Sequence, residues 1–331
     1  CNERCIHCYQ PLSQRGLSIL DKHIYFDLLT QLRDLRTLEV TFTGGEALLS
    51  PHLEGLLRAA YENNMQTSLL TNGTLITPSF VKLLREINIG IVQISLYSIR
   101  PDVHDSITRN HGSCEKTMQV IRMLVENEIR LQLSCPVMKA NSECLGEVLQ
   151  WGAELGCKVN IDCNLAARTD FSTDNLDCLL GVQDLGEAIK TVIKYDNNYR
   201  ALITRDDSDI SERNGPNEPI CGVGRTMLCI SFDGTVYPCP GFQLPLGNIR
   251  TESVREIWNN SSNLLKLRQL KKSSYPKCLM CNVSAFCSPC PGRFYNASGG
   301  DYLAVAPYHC TTAAINAEVA QEYRHSQIKN R

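Results

Sequence analysis

The amino-acid sequence predicts an α/β fold built on a mainly parallel sheet, followed by a small cysteine-rich domain. Two patterns carry that prediction. From Leu38 to about Cys163, short β-rich runs alternate with longer segments of helical apolar spacing, as in βα repeats. The chain also holds 17 cysteines, the largest group of which lies beyond residue 220. A length of 331 residues suits one large domain with a smaller companion, stable without disulfide staples.

The elements follow in order. A first helix is expected near 21 to 36, then a strand at "LEVTFT" (38 to 43). Further strands are expected at "QTSLLT" (66 to 71), "IVQISLYS" (91 to 98), "RLQLSCPVM" (130 to 138) and "KVNIDC" (158 to 163), since each is short, β-branched and bounded by turn residues. Helices fall between them, near 51 to 63, 78 to 87, 114 to 128 and 143 to 155. Pro51 and Pro78 stand where first-turn prolines belong, behind Ser50 and Thr77 as caps. Five strands emerge, and no strand is visible ahead of Cys1, so a first strand is missing from the pattern and a trimmed N-terminus is expected. A helical segment follows near 182 to 196, then "RDDSDISERNGPNEP" at 205 to 219, whose charge and turn residues mark a boundary. The expected division is a core over 1 to 165, a helical and linker segment over 166 to 214, and the second domain over 215 to 331.

Charge is nearly balanced, with 33 Lys and Arg against 35 Asp and Glu and a net charge of -2. Nothing in that balance attracts nucleic acid or an anionic membrane. No run of 18 apolar residues occurs, so a cytoplasmic protein is expected. An odd cysteine count in a chain of this size points to metal ligation rather than a disulfide framework. Cys1, Cys5 and Cys8 form a tight first set. The middle six, at 114, 135, 144, 157, 163 and 178, lack ligand spacing and read as small core residues. The last set is Cys221, Cys229, Cys239, Cys278, Cys281, Cys287, Cys290 and Cys310.

"CNERCIHCYQ" gives the spacing Cys-x3-Cys-x2-Cys. A four-iron, four-sulfur cluster takes one ligand per iron, so three thiolates leave one iron open. The loop resembles that of the radical S-adenosylmethionine (radical SAM) superfamily, with His7 at the usually aromatic position before the third cysteine. The resemblance implies a partial (β/α)6 TIM-like barrel, in which S-adenosylmethionine fills the open iron position. Gly44, Gly45 and Glu46 follow the first visible strand, at the sheet end where βα folds place ligand loops. They match the family's methionine-binding motif, with Glu46 as acceptor for the ammonium group. Asn72, Ser95 and Asn141 match later cofactor contacts of the family, and Tyr97 stands where many relatives carry an acidic residue. A zinc knuckle completed by His7 or a distant cysteine is the alternative for the loop.

Toward the C-terminus, Asp233-Gly234 reads as a hairpin turn that brings flanking ligands together. "CLMCNVSAFCSPC" adds Cys278, Cys281, Cys287 and Cys290, with Cys310 beyond. The run resembles the SPASM extension of radical SAM enzymes, with one residue fewer between the last paired cysteines than is usual. By motif position it implies one auxiliary cluster on Cys221, Cys239 and Cys290 and another on Cys278, Cys281, Cys287 and Cys310, with Cys229 as candidate eighth ligand. Two four-cysteine zinc sites are the alternative. The expected cofactors are therefore three 4Fe-4S clusters and S-adenosylmethionine.

The resemblance implies reductive cleavage of S-adenosylmethionine to a 5'-deoxyadenosyl radical that abstracts hydrogen from substrate. It further implies a maturase acting on a ribosomally made precursor peptide, forming a carbon–carbon or thioether crosslink, with a flavodoxin or ferredoxin as electron donor. A sulfatase-type formylglycine maturase, an enzyme of pyrroloquinoline quinone or modified haem assembly, and a non-catalytic electron carrier or zinc scaffold are the alternatives. Asp162, at the end of the last visible strand, is the candidate general base, against a reading as a cap or salt-bridge residue.

Overall fold

The computed structural model describes residues 1–11, 13, 20–203 and 215–329. Five parallel strands run side by side in chain order: β1 (Glu39–Phe42), β2 (Gln66–Thr71), β3 (Ile91–Ser95), β4 (Leu131–Pro136) and β5 (Lys158–Asp162). Sequential order with parallel pairing requires a crossover after every strand, and helices supply it. These are α1 (Lys22–Asp34) ahead of β1, then α2 (Leu53–Glu62), α3 (Pro78–Glu86), α4 (Pro101–Thr108), α5 (Ser113–Glu126) and α6 (Leu145–Glu154). Thr77 caps α3 as expected, its hydroxyl accepting the Phe80 N–H at 3.2 Å. Ser50 and Pro51 act differently: α2 begins at Leu53, and the Ser50 hydroxyl instead accepts the His52 N–H in the preceding turn.

Buried residues of the strands (Leu69, Val92, Ile94, Leu133) pack on those of the helices (Leu57, Leu84, Ile121, Val148) in one continuous core. After β5 the chain forms α7 (Val182–Tyr195) and α8 (Asn197–Ile203). Residues 205–214 of the expected linker lie outside the described residues.

The second region opens with a small antiparallel sheet, β6 (Cys229–Ile230), β7 (Thr235–Tyr237) and β8 (Gly247–Asn248). Gly234 turns the predicted hairpin at φ +89°. Short helices follow: α9 (Val254–Asn260), α10 (Ser262–Arg268), α11 (Pro276–Leu279) and α12 (Pro291–Ser298). The last helix, α13 (Pro307–Lys329), returns to the barrel: Ile315, Val319 and Ala320 join the core beside Leu185, Ile189 and Val192 of α7. That return, α4 and the helices after residue 250 were not predicted. Of the middle cysteines, Cys114, Cys135 and Cys144 are fully buried, as their reading as core residues requires.

Candidate functional site

The first cysteine loop lies at the C-terminal ends of the strands and is held largely through its backbone, with the Asn2 side chain adding bonds to Asn72 and Thr74. Arg4 N–H donates to the Thr108 carbonyl at 2.9 Å and Ile6 N–H to Ile107 at 3.0 Å, tying the loop to the end of α4. From the other side, the segment after β5 reaches in: Arg168 donates to the Cys8 carbonyl at 3.0 Å and Asn175 to that of His7 at 3.1 Å. No local pattern in the sequence flagged Arg168 or Asn175, because their contacts span the whole barrel.

Gly45 packs directly on the loop. A Cβ there would stand 2.8 Å from the Cys1 Cβ, so only glycine permits this approach. Gly44 adopts φ +136°, a conformation strained for any side chain. Glu46 follows, buried, with Oε1 accepting from the Leu48 N–H at 3.1 Å and the Thr71 hydroxyl at 2.7 Å, and Oε2 from the Asn72 N–H at 2.8 Å. A carboxylate oxygen accepts two hydrogen bonds comfortably, so Oε2 retains capacity for a cationic donor.

The other expected contacts differ in how free they are. Asn72 donates to the Asn2 side chain at 2.8 Å and accepts from Thr74, joining β2 to the cysteine loop. The Asn141 amide is spent on the protein: it donates to the Tyr97 carbonyl at 2.9 Å and the Pro136 carbonyl at 3.1 Å, and accepts from the Met138 N–H. Ser95 hydrogen-bonds the Tyr97 phenol. His7 is enclosed, its Nδ1 without a hydrogen-bond partner, and burial lowers its imidazole to about 4.

Cys5 has distinctive surroundings. Burial, reinforced by the Glu3 charge, pushes its thiol up to about 12. Glu3 is buried among these groups, and burial raises its carboxyl to about 7. Such a thiol gives up its proton readily only to a cation at the same place, which a cluster iron provides. Three cysteines on one short loop, with Cys5 and Cys8 in electrostatic reach of each other and Gly45 packed against Cys1, are a donor set that suits an iron–sulfur cluster.

The C-terminal cysteines gather as two groups. Cys278, Cys281, Cys287 and Cys310 line one cavity of about 100 Å³, walled by Ile220, Phe294 and His309 among others. Burial and then its three neighbouring thiols push Cys287 up to about 12. Cys221, Cys229 and Cys290 act electrostatically on Cys239, and the hairpin explains part of this: Cys229 pairs with Tyr237, two residues before Cys239. A single zinc ion draws donors to about 2.3 Å. Among the described residues no three His, Cys, Asp or Glu side chains are grouped to hold one ion. Four thiols spread around a cavity fit a larger cluster. Tyr9, just after the first loop, lies within electrostatic reach of Cys8, Cys229 and Cys239 and so stands between the first set and the nearer C-terminal group.

Asp162 faces the second region. Its carboxylate pairs with Arg293 of α12 and accepts the Asn164 N–H at 2.8 Å. Asn296 of the same helix donates to the Ala167 and Gly241 carbonyls, and Thr312 of α13 bonds Asn164 at 2.9 Å. These contacts fix the cysteine-rich region against the barrel mouth.

Comparison with known proteins agrees with this arrangement. Residues 1–152 match the model of the Radical SAM superfamily and residues 221–282 that of an iron–sulfur cluster-binding domain, SPASM. The chain is 27% identical to an AdoMet-dependent heme synthase of Methanosarcina barkeri over 93% of both chains. It is also 27% identical to the antilisterial bacteriocin subtilosin biosynthesis protein AlbA of Bacillus subtilis, over 88% of this chain and 64% of that protein's length. Its fold is that of anSMEcpe, solved with bound AdoMet, at a TM-score of 0.77 and 18% identity over 100% of this chain and 96% of the other.

Proposed function

The chain belongs to the radical SAM superfamily and carries a SPASM iron–sulfur domain, and on that premise we propose that it modifies a side chain of a peptide substrate. The observation that carries the reading is the contact of Gly45 with Cys1, which joins a three-thiol loop to a buried carboxylate at one strand end. Cys1, Cys5 and Cys8 would hold the first cluster, and Glu46 would take the ammonium group of S-adenosylmethionine. Together these cofactors supply one-electron cleavage of a sulfonium and hydrogen-atom abstraction.

The protein's part is placement. Glu46 is immobilised by three hydrogen bonds, so it meets an ammonium group without reorganising. The loop after β5 braces the cysteine loop through Arg168 and Asn175 and holds its backbone in place. The eight C-terminal cysteines would hold two fully ligated auxiliary clusters, Cys229 serving as eighth ligand, to carry the electron left when a substrate radical becomes product. A flavodoxin or ferredoxin would supply the reducing electron.

The likeness to AlbA, named for the biosynthesis of a bacteriocin, supports a precursor peptide as substrate, and a carbon–carbon or thioether crosslink is the outcome proposed for it. A second reading, synthesis of a modified haem, is favoured by the end-to-end match to the heme synthase. The test is anaerobic reconstitution followed by mass spectrometry of candidate peptides and of haem-precursor porphyrins. Replacing Cys1, Cys5 and Cys8 together by Ala should remove about four irons per chain and abolish 5'-deoxyadenosine formation. Undiminished cleavage in that variant would remove the first loop from the mechanism.

A further inference from the structure

At the position after "SL" in β3's exit, Tyr97 is not turned toward an open cofactor site. It is 5% exposed and lies behind the cysteine loop. Its ring meets His7 edge-on at 4.8 Å and His104 at 5.3 Å. The backbone is pinned at both ends, the Tyr97 N–H donating to His104 Nδ1 at 3.3 Å and its carbonyl accepting from Asn141 at 2.9 Å. So held, the phenol points at one atom of the loop, donating to Cys5 Sγ at 3.9 Å.

Cys5 Sγ has a second polar neighbour, the Glu3 carboxylate, to which the protonated thiol donates at 3.6 Å. Once the sulfur loses its proton to bind iron it can no longer donate to that carboxyl. The phenol then remains a donor to the ligating sulfur. A hydrogen bond to a cluster-bound sulfur stabilises the reduced cluster more than the oxidised one, since reduction adds negative charge there. We propose that Tyr97 is a positioning residue that raises the reduction potential of the first cluster through a hydrogen bond to Cys5, with Ser95 and His7 fixing the phenol's direction. The inference rests on the reading of Cys1, Cys5 and Cys8 as cluster ligands. It gives His7 a packing task beside any contact with cofactor.

The Glu3 carboxyl lies beside the same sulfur at 3.6 Å, and the phenol acts on that sulfur from another side. Among the described residues no tyrosine hydroxyl donates to a C-terminal cysteine as Tyr97 does to Cys5, so the effect should be confined to one cluster.

The experiment is a redox titration of the reconstituted protein followed by electron paramagnetic resonance, without S-adenosylmethionine, reading all clusters separately. Iron content and the spectrum of the wild-type first cluster test the ligand reading by themselves. Given that cluster, Tyr97→Phe keeps the ring contacts and removes the donor, so the first midpoint potential should fall while the auxiliary potentials stay. Trifluorotyrosine at position 97 is a stronger donor of nearly the same shape and should move the first potential upward. It also decides the matter if the Phe variant fails to retain its cluster. An unmoved first potential in the fluorinated protein, or equal shifts at all clusters in either protein, overturns the proposal.

Discussion

The two cysteine-bearing regions bring their proposed cluster ligands together by opposite routes. In the first, three ligands come from one stretch of eight residues, and the barrel fixes them through backbone bonds from α4 and side chains from the loop after β5. In the second, each group is assembled from distant positions: Cys221 with Cys290, and Cys278 with Cys310. The frames differ too. The barrel core runs through all five strands and into α7 and α13, whereas the second region rests on a small cluster of Val223, Val236, Phe242, Leu246, Ile257 and a few leucines. Where ligands are local and the scaffold large, the fold makes the site. Where ligands are remote and the scaffold thin, the site must help make the fold.

The largest expected effect breaks this comparison open. Anaerobic removal of iron by a chelator should leave β2, β3 and β4 strongly protected from hydrogen exchange, because their bonds are buried in the main core. The segment from Cys221 to Cys290 should lose its protection, its local opening free energy falling to about 0 kcal/mol. Equal protection in both regions after iron loss would show that the second region folds on its hydrophobic cluster alone.

A smaller effect is confined to the first region. Glu46→Gln replaces a carboxylate by a group of the same shape with one acceptor oxygen, so the bonds to Leu48, Thr71 and Asn72 cannot all persist. Affinity for S-adenosylmethionine should fall by roughly 1 to 3 kcal/mol, about fivefold to over a hundredfold. Iron content in both regions should not change. Anaerobic titration calorimetry checks this, and identical affinities would place the ammonium elsewhere.

The same contrast governs what the sequence revealed. The five parallel strands and most crossover helices follow from local periodicity, and their bounds agree within a few residues. The cysteine sets were legible because short ligand spacings are themselves local signals. Tyr97 at the back of the loop, Arg168 and Asn175 over it, and Arg293 against Asp162 were not, since each acts across 92 to 168 residues of chain. A buried Glu3 between two cysteines was visible in "CNERC" as a charge with nowhere to go, and that signal could have been read. The return of α13 to the barrel has no sequence signature short of the partner face on α7.

The smallest expected effect sits on the seam between the regions and decides the role of Asp162. The carboxylate is half-exposed and paired with Arg293, so solvent screens much of the attraction. Breaking the pair from either side, by Asp162→Asn or Arg293→Gln, should cost about 0.2 to 1 kcal/mol of stability in urea unfolding. If the pair only holds the cysteine-rich region in place, the two variants should also slow product formation by the same modest factor, with S-adenosylmethionine cleavage preserved. A carboxylate that accepts a substrate proton breaks this symmetry. General-base catalysis is worth about 10² to 10⁴ in rate, so Asp162→Asn would then lose turnover on that scale while Arg293→Gln would not. The contacts from Asn296 and Thr312 persist in both variants and keep the regions docked. The geometry, with the guanidinium already occupying the carboxylate, favours the symmetric result.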